Sequence, residues 1–474
     1  MRSRLPAVAV LLLPLCGAAW QGDVPQPAPS QRLDPAIQKI VSEISEDNIT
    51  TILKKLESFE TRNTLSDAAS PTRGIGAARQ WIFDQLKSYS PRLEVSFDTH
   101  TIPKGGRVWK EVELRNVMAV LPGKQDPGRW ILVTGHYDSL NLRIPPEMRG
   151  DQEKMADIAA PGVTDNGSGT ACLMECARVM SRYDFRATLV FVAFAGEEQG
   201  LIGARELAKE LRAKNQAIEA VLNVDTIGSD IAGNGISDNH RILVFSEDPN
   251  DSPSRQVARF IRLVGGRYYP EMQTDLIFRH DRFGRGGDHT AFNQEGYAGV
   301  RFTTPNENFE NQHTPTDTFA NTSPAYTARG IRLVAAAAAA MALAPRPPVT
   351  MQAPRAAGTA KTPATPAAGA AAGQTPAGFS RPAQTGPSLT RGRGYDAALR
   401  WEYPNPEPDL AGFIVVVRST TAPDWEREIW VGNVREYAIR NLPIDQVVLG
   451  VKSVDNAGHE SPVSAYWTQP RRFE

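Results

Sequence analysis

The chain has 474 residues, with 52 Lys and Arg against 53 Asp and Glu, 41% hydrophobic residues and three cysteines. This is a globular composition at multidomain length, which excludes a disordered or fibrous chain. The formal charge of −1 at pH 7, with no long basic run, gives no general attraction to phosphate backbones or anionic lipid and so excludes nucleic-acid and membrane-surface partners.

Taken in chain order, residues 1–19 read as a secretory signal. MRSR is a positive start, LPAVAVLLLPLC an apolar stretch too short to span a bilayer, and Gly17-Ala18-Ala19 a small-residue cleavage site. The expected destination is periplasmic or extracellular, with no integral membrane segment in the mature chain. A lipoprotein anchored through Cys16 is the rival, disfavoured by the bulky Leu15 in front of it.

The amphipathic stretches Asp34 to Phe59 and Ile75 to Tyr89 predict outer helices. Apolar runs at 117–123, 130–138, 187–196 and 220–228 have strand length, are rich in β-branched residues and end in turn residues. They predict central strands buried on both faces. Between them, GSGTACLMECARVMSRY and LIGARELAKELRAKN carry apolar positions at helical spacing. Cys172 and Cys176, one helical turn apart, read as small core residues and not as a bridge. The Ala-rich run from Tyr326 to Leu343 predicts a further outer helix. Strand and helix in alternation give an α/β domain over 34–343, a central mostly parallel sheet flanked by helices.

From Ala344 to Arg393 the sequence is dominated by Ala, Pro, Thr and Gly and reads as a linker. Residues 394–470 then break into short β-branched runs separated by turns, the pattern of a small all-β sandwich.

In open α/β sheets, functional groups gather beyond the carboxyl ends of the strands. His136 and Asp138 close one strand run, Glu197 and Glu198 another and Asp225 a third, while Asp165 stands in the loop GVTDNGSG. Singly, each is an ordinary solvated carboxylate or hydrogen-bonded imidazole. Together they crowd like charges into one crevice, which is costly unless a cation neutralises them. Imidazoles and carboxylates without thiolates suit Zn²⁺ or a similar ion better than Ca²⁺ or Mg²⁺. There is no HExxH, no GxSxG elbow and no GxGxxG, so a helix-borne single-zinc protease site, a serine hydrolase and a dinucleotide enzyme are all disfavoured.

HYDS, GVTDNGSG, AFAGEEQGLIGA, NVDTIG and HTPTDT resemble, in this order, the motif series of the two-zinc exopeptidases typified by secreted bacterial leucyl aminopeptidases. Glutamate carboxypeptidase, the transferrin receptor and glutaminyl cyclase are more distant relatives on this phosphorylase/hydrolase-like fold. The resemblance implies two zinc ions per chain. Asp165 would bridge them, with His136 and Asp225 on one ion and Glu198 and His313 on the other. It implies Glu197 as general base, Asp138 as the group orienting His136, and a cis peptide between Asp165 and Asn166. The implied activity is release of the N-terminal residue from peptide substrates. A one-zinc glutaminyl cyclase and a catalytically inactive receptor-like protein are the alternatives, and carboxypeptidase action is a variant of the first reading.

The stretch NLRIPPEMRGDQEKMADIAAP is expected to shape the rim of the substrate pocket. Asp288 and His289, in GGDHTAF, lie either near the site or in a structural turn, and His240, His280 and His459 have no motif around them. The C-terminal block resembles a fibronectin type III module through Trp401 and the ending SVDNAGHESPVS, although Val447 or Val448 occupies the place of that fold's corner tyrosine. Its expected role is spacing or binding to a surface or polymer.

Overall fold

The computed structural model of the chain describes residues 29, 32–350, 386–392 and 394–466. The expected signal at 1–19, with Cys16, and most of the expected linker lie outside the described residues.

The helices are α1 (Pro35–Glu43), α2 (Glu46–Glu57), α3 (Gly74–Tyr89), α4 (Gln152–Asp157), α5 (Ser168–Met180), α6 (Ile202–Ala213), α7 (Pro253–Tyr268), α8 (Asp288–Gln294) and α9 (Pro324–Leu343). The strands of the large sheet are β1 (Glu94–Ile102), β2 (Val112–Leu121), β3 (Asp126–His136), β4 (Ala187–Phe194), β5 (Ala217–Val224), β6 (Arg241–Ser246), β7 (Gln273–Ile277) and β8 (Gly299–Thr303). Local chemistry sets several starts. Asp34, Ser252 and Ser323 each cap a helix whose first residue is proline, and the Asp34 carboxylate accepts the Ala36 N–H at 2.6 Å.

The eight strands run in the order β1-β2-β4-β3-β5-β8-β6-β7. The central pairs β4/β3, β3/β5 and β5/β8 are parallel, and antiparallel pairing enters only toward the flanks. Every residue of β4 and β8 is buried, as are the last six of β3 and the last five of β5, so both faces are covered and alternation gives way to continuous apolar sequence. His136 pairs with Phe194, and Thr134 with Asn223, so the carboxyl ends of β3, β4 and β5 lie level at one edge.

One helix corrects the sequence reading. α9, expected on the outside, packs against β3 and β4 and is covered by α1, α2 and α7. Leu333 to Ala339 are fully buried. Alanine gives α9 no amphipathic stripe to mark an exposed face, and a helix apolar all round belongs in the interior.

The C-terminal strands are β9 (Ser388–Arg391), β10 (Ala397–Arg400), β11 (Leu410–Ser419), β12 (Arg427–Gly432), β13 (Glu436–Ile439), β14 (Val447–Asp455) and β15 (Ser464–Ala465). They form antiparallel sheets β13-β10-β9 and β12-β11-β14-β15. The two enclose a common core in which Trp401 meets Phe413 edge-on at 5.5 Å between ring centroids. β9 falls inside the stretch read as linker. Its Leu389 stands opposite Leu399 in the ladder with β10, so pairing draws a polar, Gly-flanked segment into the sheet.

This block rests directly on the α/β body. Arg186, at the foot of β4, donates to Asp409 at 2.5 Å and lies 3.5 Å from Asp455. Arg259 donates to the Pro423 carbonyl at 2.6 Å, Arg418 pairs with Asp251, and Trp425 donates to Gln256 at 3.2 Å. His459, given no role by the sequence, bridges Asp455 and Asp34 at 2.8 Å each. Arg186 marks the amino end of β4, the pole opposite the carboxyl ends of β3, β4 and β5, roughly 25 Å away along an eight-residue strand. Among the described residues no helix is long and apolar enough to cross a membrane.

Candidate metal centre

The strand ends deliver the sequence-selected residues to one buried cluster. His136 ends β3, Glu197 and Glu198 follow β4, Asp225 follows β5, and His313 comes from the segment between β8 and α9. Asp165 stands just before α5, and its peptide bond to Asn166 is cis, as the resemblance implied. The backbone there is tightly packed. A Cβ on Gly169 would lie 2.2 Å from the Val224 carbonyl oxygen, and one on Gly135 would lie 2.9 Å from the Gly169 carbonyl carbon. Both positions need glycine to bring α5 down onto β3.

Asp165 sits between the two imidazoles. Its Oδ1 is 3.2 Å from His136 Nε2, and its Oδ2 is 3.1 Å from His313 Nε2. His136 Nε2 is also 3.7 Å from Asp225 Oδ1 and 3.9 Å from Glu197 Oε2, while His313 Nε2 is 3.1 Å from Glu198 Oε1. Donor atoms of His136, Asp165 and Glu198 lie within 4.8 Å of one another, and so do those of His136, Glu197 and Asp225. Ligands about 2.0–2.1 Å from a tetrahedral zinc stand about 3.3 Å apart, so the observed spacings suit a zinc between the donors. Glu198 Oε1 is buried and makes no hydrogen bond, which is the state of an acceptor directed at a cation. The residues present therefore fit zinc in chemistry, spacing and unpaired donors.

Asp138 does more than orient His136. Its backbone carbonyl accepts from His136 Nδ1 at 3.1 Å, and its carboxylate lies 3.5 Å from that nitrogen. The same carboxylate accepts the backbone N–H groups of Glu197 at 3.3 Å and Glu198 at 3.2 Å, and the Thr64 hydroxyl at 3.0 Å. One buried side chain thus fixes the imidazole and the turn carrying both glutamates.

The electrostatics follow from this crowding. Burial, then the charges of Glu198, Asp288 and Asp225, pushes the Glu197 carboxyl well above the usual carboxylate range. Glu198 is raised by burial and by Asp165. Burial opposes ionisation of Asp165 too, but His136 and His313 beside it hold it well below the usual value. Burial lowers His313, and Asp165 and Glu198 outweigh that to raise it to about 11. A buried cation would relieve every one of these conflicts.

Several supporting residues escaped the sequence reading. Gln312 donates to Asp165 Oδ2 at 2.5 Å. Asp317, quoted within HTPTDT without a role, accepts the N–H groups of Thr164 at 2.9 Å and Asp165 at 3.0 Å, and burial pushes its carboxyl up to about 6. Arg301, fully buried in β8, holds Asp225. Asp288 is buried with neither oxygen hydrogen-bonded, and burial together with Asp138, Asp225 and Glu198 pushes it up to about 8, so it belongs to the cluster's surroundings. His289 turns away to the His280 carbonyl at 2.7 Å.

The cluster opens into a cavity of about 740 Å³, with Leu142, Ile144 and Met155 of the expected rim, and Leu140 just before it, among its walls.

Comparison with known proteins supplies the context. A family model described as Peptidase family M28 matches residues 116–338. A probable zinc metalloprotease of the fungus Pyrenophora tritici-repentis is 33% identical, covering 90% of this chain and 96% of its own. The LapA aminopeptidase of Legionella pneumophila has a similar fold, with TM-score 0.51 and 19% identity over 67% of this chain and 77% of its own. A Macrostomum lignano glutaminyl cyclase is similar in fold at TM-score 0.50 and 16% identity, over 66% of this chain and 94% of its own.

Proposed function

The chain belongs to peptidase family M28, whose curated relatives are zinc metalloproteases, and from that premise we propose that it is an exported aminopeptidase holding two zinc ions. The observation carrying this reading is the position of Asp165, with one imidazole against each carboxylate oxygen at 3.2 and 3.1 Å. Asp165 would hold both ions, His136 and Asp225 one of them, and Glu198 and His313 the other. Zinc held there supplies activation of a water and polarisation of the scissile carbonyl. Glu197 faces the same space, its Oε2 3.9 Å from His136 Nε2, and once a cation offsets the crowding its carboxylate is placed to take the proton from that water and pass it to the departing amine. Asp138 keeps Glu197 and His136 in register through the turn and the imidazole. Export rests on the basic and apolar character of residues 1–19, and the C-terminal block is assigned to attachment on a surface or polymer.

The test uses purified full-length protein. Metal analysis should return two zinc per chain, and amino-acid 4-nitroanilides should be cleaved while N-blocked peptides are not. Chelation should abolish turnover, and added zinc should restore it. One zinc per chain with cyclisation of N-terminal glutamine would select the glutaminyl cyclase reading. Zinc loading without turnover of any peptide would select the receptor-like one, which retention of the whole donor set disfavours.

A further inference from the structure

The cavity carries a second kind of chemistry. Outside the zinc-donor set and Glu197, its charged walls are three arginines, Arg107, Arg282 and Arg285, and no other carboxylate. Two of these are committed. Arg282 donates to both oxygens of Glu307, at 3.1 and 2.9 Å, and to Asp281 at 3.0 Å, while Arg285 shares Glu307 at 3.3 Å. Arg107 is different. It is exposed, its side chain donates to the Glu198 backbone carbonyl at 3.1 Å, and no carboxylate among the described residues lies within 4.0 Å of it.

That contact sets the guanidinium against the chain where Glu198 passes into Gln199. Gln199 also lines the cavity, is only 9% exposed, and its buried Oε1 has no hydrogen-bond partner. An unpaired buried amide is costly unless a ligand meets it, and rotation by 180° lets it present N–H in place of oxygen. A guanidinium that has no carboxylate partner, beside an amide whose oxygen is unpaired, is matched by a planar anion.

We infer that Arg107 and Gln199 form a subsite that binds a carboxylate of the substrate beside the scissile bond. The inference rests on the aminopeptidase reading and names its substrate class, peptides bearing a carboxylate close to the bond cleaved. The carboxylate has three sources: the side chain of the first residue, the side chain of the second, or the terminal carboxyl of a dipeptide.

The experiment compares kcat/KM of the zinc-loaded full-length protein on three matched pairs. These are Glu-Ala-Ala-amide against Gln-Ala-Ala-amide, Leu-Glu-Ala-amide against Leu-Gln-Ala-amide, and Leu-Ala against Leu-Ala-amide. At least one pair should favour the carboxylate by about ten- to hundredfold, carried by KM, and the responding pair identifies the source. Arg107→Met should bring that ratio close to one, Arg107→Lys should retain part of it, and Gln199→Glu should reverse it. Cleavage with ratios near one in every pair, or a ratio that survives Arg107→Met, overturns the subsite and leaves the peptidase reading standing. If no peptide is cleaved, that reading falls, and calorimetry with the same three pairs of peptides still decides the subsite. Tighter binding of the carboxylate member of at least one pair that Arg107→Met removes upholds it, and equal binding within every pair overturns it.

Discussion

Arg301 Nε lies 3.0 Å from Asp225 Oδ2, while the other oxygen of that carboxylate faces His136 Nε2 at 3.7 Å. One oxygen is anchored from within the sheet, and the other is left to point into the cluster. Arg301 also reaches Asp281 at 3.5 Å and Glu307 at 3.7 Å, so one guanidinium touches three carboxylates, which Arg282 shares. Lysine keeps the charge but cannot serve the three directions together. Arg301→Lys should therefore weaken zinc on the Asp225 side by about 10- to 100-fold. Competition with a chelating dye measures this, and unchanged affinity in a folded variant would show that the anchor is dispensable.

The adjacent glutamates should separate cleanly. Glu197→Gln preserves shape and should keep both zincs while the rate falls on the order of 10²- to 10⁴-fold. Glu198→Gln removes charge from an oxygen 3.1 Å from His313 and should lose metal instead. Zinc stoichiometry alongside kcat decides the matter. Added zinc should partly rescue the Glu198 variant and leave the Glu197 variant unchanged, and the reverse pattern would refute the roles.

A chain cut after Pro345 should keep its chemistry and lose stability. Arg129 donates to the carbonyls of Ala344 and Pro345 at 2.6 and 3.3 Å, so the cut preserves the end of α9. It strips the partners of Arg186, Arg259 and Gln256 at the pole away from the crevice. Turnover of a small anilide and zinc content should stay within about twofold, while the melting temperature falls by roughly 3–10 °C. Collapse of activity in a folded, zinc-loaded truncation would mean that the C-terminal sheets complete the site.

His459 should make the docking of those sheets sensitive to pH. Burial lowers its proton affinity, but Asp455 and Asp34 outweigh that and raise it. A raised folded value means that its stabilisation is fully present below the unfolded value, near 6.5, and is lost as pH climbs through the folded one. Asp455, held low by His459 against the effect of burial, contributes above its own unfolded value, near 3.9. The difference in melting temperature between the parent and His459→Gln should thus be widest between about pH 5 and 6.5 and should narrow at higher pH. A constant gap from pH 5 to 9 would remove the titration from the explanation.

The candidate metal donors were legible because chemistry and position coincide for them. His136, Glu198 and Asp225 are strand-end residues of unusual type, and their neighbours Asp138, Asp165 and Glu197 fall in the same short motifs. Gln312, Arg301 and Asp317 were illegible because their work is done on residues distant in sequence, through hydrogen bonds that only the folded backbone creates. Arg107 had no signal either, since an arginine in a polar loop looks solvated until the absence of a carboxylate partner is seen, and Gln199 stood inside AFAGEEQGLIGA without a role of its own. The docking of the C-terminal sheets was missed for a related reason. It is made by scattered charges such as Arg186 and Asp409, each unremarkable in its own segment, while Ala344 to Arg393 by composition suggested separation.

The alanine run of α9 has one more consequence. Ala335 to Ala339 stand between the central strands and a further shell of helices, all fully buried, so their methyl groups act as the gauge that sets the thickness of the molecule there. A stretch that looks poorest in information is thereby among the least substitutable. Any larger side chain must push one layer off another, at about 1–3 kcal/mol for each overpacked position, and glycine would trade that clash for a looser helix at about 1 kcal/mol. Drift at these positions is confined to alanine and its nearest equals in volume, whereas the outward faces of α1 and α2 can change freely in size.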